Sequence, residues 1–190
     1  MIIQSSDARF PERSDQALMI TGLLLYIIGQ TLLNLGPDFV ARQQPIDFAH
    51  WSLLIGSVLF LPFIGRLPKR NIHLLTIPLF PAGVAAIIGM CVLDFIFWSL
   101  PPGELYRDVV NHLRSTPSIW GVFIVYGPNY IFGTALTLPS LSYWKVSRLG
   151  VMLVVGGSLL MAFTGRDWIV QGYILVTAGY FLCFGMLRRR

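Results

Sequence analysis

Residues 74–100 read LLTIPLFPAGVAAIIGMCVLDFIFWSL, an apolar run in which Asp94 is the only formally charged side chain. A membrane-spanning helix needs about 17–25 residues at a rise of about 1.5 Å each, so this stretch alone is long enough to cross a bilayer. A carboxylate in hydrocarbon costs roughly 2.5–3.5 kcal/mol on insertion scales, so it faces a protein interior, a cavity or a partner. Pro78 and Pro81 lack backbone donors and predict an irregular start to the run, with regular helix from about Ala82.

Further apolar runs lie on both sides, at residues 17–36, 48–65, 119–138, 149–164 and 169–187. Mean hydropathy is +0.67. Of the 190 residues 55% are hydrophobic and 12% charged, against about 25% charged in a soluble domain. The fold class expected is therefore all-α: one transmembrane domain over residues 1–190, built as a bundle of six spanning helices. No connecting loop is longer than about 17 residues, which leaves no soluble domain and confines any chemistry to the bundle or its rims. The polar residues 1–16, with Asp7, Glu12 and Asp15, precede a full-length span and do not read as a cleavable signal. Cys91 and Cys183 fall inside spans, where a thiol acts as a small apolar filler, so neither a disulfide nor a metal site is expected of them.

The loop charges orient the bundle. With a cytoplasmic N-terminus, the inner side holds Arg9, Arg13, Arg66, Lys69, Arg70, Lys145, Arg148 and Arg188 to Arg190. The outer side holds only Arg42, Arg107, Arg114 and Arg166. Cytoplasmic loops are the ones enriched in Lys and Arg, so both termini are expected inside. Trp51, Trp98, Trp120 and Trp168 all fall at predicted outer ends, as an interfacial belt would place them. The location expected is a bacterial inner membrane. Arg188, Arg189 and Arg190 follow the last span directly and read as a contact with anionic lipids of the cytoplasmic face. The net charge of +5 then calls for no nucleic acid.

The second and fifth runs share a pattern at an offset of 100: Leu53, Gly56, Leu59, Phe63 and Gly65 match Leu153, Gly156, Leu159, Phe163 and Gly165. The third and sixth echo each other through Ala82-Gly83 and Ala178-Gly179. Three helices repeated after an odd number of crossings would make an inverted 3+3 repeat, a transporter signature. Chance matching of small and apolar residues competes with that reading. Gly127-Pro128-Asn129 interrupts the fourth run, and such breaks mark either close packing or a midplane binding site.

The polar groups inside the runs gather toward the outer side. Tyr26, Gln30 and Asn34 recur at i, i+4 and i+8 on the first span, His50 stands at the mouth of the second, and Tyr126 and Asn129 lie on the fourth. With Asp94 they would line a crevice open to the outside. The segment from Glu104 to Leu113 reads as a short amphipathic helix over its mouth, with Glu104, Arg107, Asp108 and His112 forming an outer rim. In the competing reading the amides only join helices, and Asp94 pairs with a loop arginine. No HExxH, CxxC or GxSxG motif and no glycine-rich phosphate loop occurs, so no catalytic residue, metal site or cofactor is named.

The leading functional expectation is a small membrane protein that binds or conducts a small solute or ion around Asp94. The alternative is a non-catalytic accessory or structural subunit of a larger membrane complex, which the 13% aromatic content and short loops also suit, whereas a homo-oligomer goes with the first reading. A third reading is a membrane-embedded enzyme using outer-rim histidine and acidic residues.

Overall fold

The computed structural model describes residues 11–43, 45–65, 67, 72–101, 103–164 and 168–185, and among them every regular element is helical. Helix α1 (Arg13–Asn34) turns at Gly36, whose φ of 101° only glycine adopts readily, into the short α2 (Pro37–Ala41). Helices α3 (Phe48–Leu59) and α4 (Leu61–Ile64) form one apolar rod broken at Phe60, next to Pro62. Helix α5 (His73–Ser99) is followed by α6 (Glu104–Arg114) and α7 (Pro117–Trp120). The chain then winds as a π-helix over Gly121–Ile131, tightens into α8 (Phe132–Ser140) and closes in a 3₁₀ turn at Leu141–Tyr143. Helices α9 (Arg148–Phe163) and α10 (Ile169–Cys183) complete the bundle.

Three of these rods, Arg13–Asn34, Leu74–Ser99 and Pro117–Tyr143, are long and apolar enough to cross a membrane. Phe48–Ile64, Arg148–Phe163 and Ile169–Cys183 are apolar but shorter. At about 1.5 Å per residue, the 15 residues of α10 extend about 22 Å, short of the roughly 30 Å of a hydrocarbon core. The irregular start predicted for the third run does not occur. Helix α5 is continuous from His73 through Pro78 and Pro81, because each proline removes one donor from a 27-residue ladder that otherwise stays intact.

The helices pack as antiparallel hairpins held by small residues seven positions apart. Between α1 and α3, a Cβ on Gly22 would lie 2.7 Å from the Gly56 carbonyl oxygen, and one on Gly29 would lie 2.8 Å from that of Ala49. Between α9 and α10, Gly150 faces the Gly179 carbonyl at 2.7 Å and Gly157 faces that of Gly172 at 2.6 Å. Backbone meets backbone at each crossing, as in membrane helices that associate without a hydrophobic drive. The third hairpin joins α5 to the π-helix, where Gly89 receives the Phe123 ring and Gly127 packs on Ala86.

These contacts change the meaning of the 100-residue offset. Gly56 faces Gly22, but its match Gly156 has open space around it, and Gly157 makes the contact instead. The shared arrangement runs hairpin to hairpin, with Gly22, Gly29, Ala49 and Gly56 answered by Gly150, Gly157, Gly172 and Gly179.

The core centres on Tyr26, which is fully buried, with ring centroids 5.4 Å from Phe60, 5.2 Å from Phe132 and 5.0 Å from Tyr173. Its hydroxyl bonds Ser57 Oγ, which in turn donates to the Leu53 carbonyl at 2.8 Å. Four parts of the chain thus converge on one ring.

The hairpin packing is tested by a pair of adjacent substitutions. Gly157→Ala places a methyl against a backbone carbonyl and lowers stability by about 1–3 kcal/mol, read as a lower Tm in detergent. Gly156→Ala points into open space and stays within about 0.5 kcal/mol of the parent. Equal effects at the two positions would contradict the assigned crossing.

Candidate functional site

Asp47 begins the site. As the N-cap of α3 it accepts a hydrogen bond from the backbone N–H of His50 at 3.2 Å, the usual use of a short acid at a helix start. The same three-residue spacing brings the His50 ring back over the cap, so Nδ1 lies 2.5 Å from Asp47 Oδ2. The other ring nitrogen, Nε2, lies 3.2 Å from Asp94 Oδ2 on α5. Phe95, next in sequence to Asp94, sets its ring edge-on to His50 at 6.1 Å.

The two carboxyl groups differ in access. Asp47 is 1% exposed, whereas the Asp94 side chain is 28% exposed. Burial by itself raises the Asp47 pKa, but the hydrogen bond and charge of His50, with the N–H groups of His50 and Ala49, outweigh it and hold that pKa below the ordinary value. An acceptor therefore faces each nitrogen of one imidazole. A doubly protonated ring satisfies both, and a neutral ring requires a proton on a carboxyl group. The Asp94–Nε2 contact is the half of this relay that solvent or a ligand reaches.

Asp94 and His50 form part of the wall of a cavity of about 350 Å³. Its other polar groups are Gln30 on α1, Asn129 on the π-helix and Tyr173 on α10. The remaining wall is apolar, with Leu33, Ile87, Met90, Ile124, Met161 and Ile169 among its members. All six apolar rods contribute, each through the end that carries Trp51, Trp98, Trp120 or Trp168 or lies beside them. The π-helix matters here: its wider turns, with Pro128 donating no N–H and Gly127 pressed on Ala86, bring Ile124, Pro128 and Asn129 to one wall.

Of the residues expected at the crevice, Asp94, Gln30, His50 and Asn129 come together on this wall. Three others lie elsewhere. Asn34 is exposed near the end of α1, because eight residues at 3.6 per turn leave it about 80° away from Tyr26. Tyr26 itself belongs to the buried core. Tyr126 is 60% exposed on the outer surface of the π-helix, with Tyr130 as its aromatic neighbour at 6.3 Å. Among the described residues the partner of Asp94 is His50 and not a loop arginine; Arg114 instead lies 5.2 Å over the Trp120 ring.

Helix α6 carries Glu104, Arg107, Asp108 and His112 exposed to the surroundings. It packs on α7, with Tyr106 against Phe97, and contributes nothing to the cavity wall, so these residues form no cap over it. The C-terminal end of α5 is tied instead to α2, where Trp98 Nε1 donates to the Val40 carbonyl at 3.2 Å. Arg188, Arg189 and Arg190 lie outside the described residues.

The spacing Asp47-Phe48-Ala49-His50 at a helix start was the available signal for the relay, since a capping acid and a residue three positions on share one turn. Nothing local announced that Asp94 would meet it, nor that Tyr173, Met90 and Met161 would line the same space. Among the described residues no group of three or more His, Cys, Asp and Glu side chains is arranged to hold a metal ion, because the Asp47–His50–Asp94 groups form a chain and not a convergent shell. Comparison of the chain with protein-family models, with curated proteins and with solved structures gives no match.

Asp47 serves both as cap and as ring anchor, and substitutions separate the two. Asp47→Ala removes both acceptors and costs about 1–3 kcal/mol of stability in detergent unfolding. Asp47→Asn keeps the cap oxygen and costs less than half as much. An alanine variant as stable as the parent would show that the anchor contributes nothing.

Proposed function

We propose that this chain is a six-span protein of a bacterial cytoplasmic membrane that binds or conducts a small solute or ion in the cavity beside Asp94. Both termini lie on the cytoplasmic side and the cavity opens outward. The observation that carries the reading is the His50 bridge: a histidine held by a buried acid on one nitrogen presents the other to an acid on the cavity wall. Ionisable groups inside apolar spans are expensive and mark ion pathways, proton relays or ligand counter-ions. Here they are also grouped, since Asp47 contacts His50 and His50 contacts Asp94.

The orientation rests on the excess of Lys and Arg in the loops assigned to the inside. The cavity lies at the opposite end, with Gln30 late in α1, His50 early in α3 and Asp94 late in α5. In this reading Asp94 is the group that contacts the solute, His50 holds one of its oxygens, and Asp47 positions His50.

Two measurements test the proposal. A tag placed after Arg190 is protected from protease added to intact spheroplasts; digestion there would reverse the orientation. In proteoliposomes on a solid-supported electrode, a panel of small solutes and pH jumps gives a transient current with the parent protein. Asp94→Asn reduces that current by about tenfold or more, the loss of one charge-assisted contact. A parent current unchanged in Asp94→Asn would remove Asp94 from the function.

A further inference from the structure

We infer that the molecule taken by this cavity is a small organic monocation, an ammonium group on an apolar body, with the Asp94 carboxylate as its counter-ion. The inference rests on the proposed solute-binding reading and assigns its chemical class.

Charge decides the first part. Both Asp47 oxygens are engaged, Oδ1 by the His50 N–H and Oδ2 by Nδ1, and that residue is closed to the cavity. Asp94 uses only Oδ2, toward Nε2, and its Oδ1 has no donor among the described residues. The imidazolium of His50 stands between two carboxylates, so the trio in that form carries one uncompensated negative charge. Among the described residues no lysine or arginine lines the wall to balance it. An anion would meet Asp94 with no free cation in reach among the described residues, whereas a cation supplies the missing charge and the missing donor together.

Size and wall chemistry decide the second part. At about 350 Å³ the space matches the lower end of small-molecule pockets, which run from roughly 300 to 1,000 Å³. A bare inorganic cation needs a close shell of oxygens. Here Asp94, Gln30 and Asn129 are set among aliphatic side chains, and Asn129 already donates to its own helix at Val125. Met90 and Met161 suit an apolar body, since thioether side chains adapt to irregular shapes. Tyr173 adds an aromatic group to the same wall, of a kind that attracts cations at its face.

The test is calorimetric titration of the full chain in mild detergent at constant ionic strength, with four probes: benzylammonium, benzyl alcohol, benzoate and potassium chloride. Benzylammonium binds and the other three do not. Asp94→Asn weakens it by about tenfold or more, as loss of a charge-assisted bond requires. Met161→Trp, which fills the cavity without touching its charge, abolishes the binding and keeps the inference testable if the Asp94 variant fails to fold. Benzyl alcohol or benzoate binding as tightly as benzylammonium would overturn the cation class while leaving the solute-binding proposal standing. Benzylammonium binding unchanged in both variants would overturn the site. Silence from all four probes would remove the inference, and the proteoliposome current would then judge the solute-binding proposal by itself.

Discussion

Direct backbone contact between α1 and α3 sets the geometry on which the site depends. Gly22 against Gly56, and Gly29 against Ala49, bring two helices closer than any pair of larger side chains would allow. Gln30 follows Gly29, and His50 follows Ala49, so the lower contact delivers one polar side chain from each helix to the same space. A methyl group at Gly29 would meet the Ala49 carbonyl and push the first turn of α3 away. That turn carries the capping Asp47 and the bridging His50, whose reach to Asp94 is 3.2 Å. Helix spacing and relay geometry are therefore one constraint.

Polar groups elsewhere in the bundle show what the site is not. Ser57, Thr137 and Thr177 donate to carbonyls four residues back on their own helices, which satisfies a hydroxyl without any partner helix. Tyr26 reaches Ser57, and Tyr180 donates to the Leu136 carbonyl at 2.6 Å. The two tyrosine bonds fasten helices together. Asp94 differs because its partner engages one oxygen only and its side chain borders empty volume. An acid placed purely to join helices would have both oxygens committed, as Asp47 does.

The π-helix from Gly121 to Ile131 gives the fourth rod its special part. A proline near the middle of a membrane helix frees a carbonyl, and the sequence offered both packing and a binding site as reasons to keep it. The structure joins the two, since Gly127 packs on Ala86 while Pro128 and Asn129 face the cavity. Close packing on one side of the distortion turns the other side inward.

Hydropathy, loop charge and tryptophan placement are properties of short windows, so the apolar rods and the end of the bundle that collects polar groups were legible from the chain alone. The amphipathic helix Glu104–Arg114 was legible for the same reason, from its periodicity. So was the singular position of Asp94, because one charge in a long apolar run is visible without coordinates. What Asp94 meets was not. His50 lies 44 residues away on another helix, and only the rotation of α3 against α5 decides whether the two rings of contact coincide. Tyr26 and Asn34 left the site because a face defined by i, i+4 and i+8 drifts by about 80° over that span, and Tyr173 entered it through the packing of α10 against α1. The seven-residue spacing of glycines was written in the sequence too, but Gly156 and Gly157 look alike there. Which of two neighbours touches the next helix is settled only when the helices are packed.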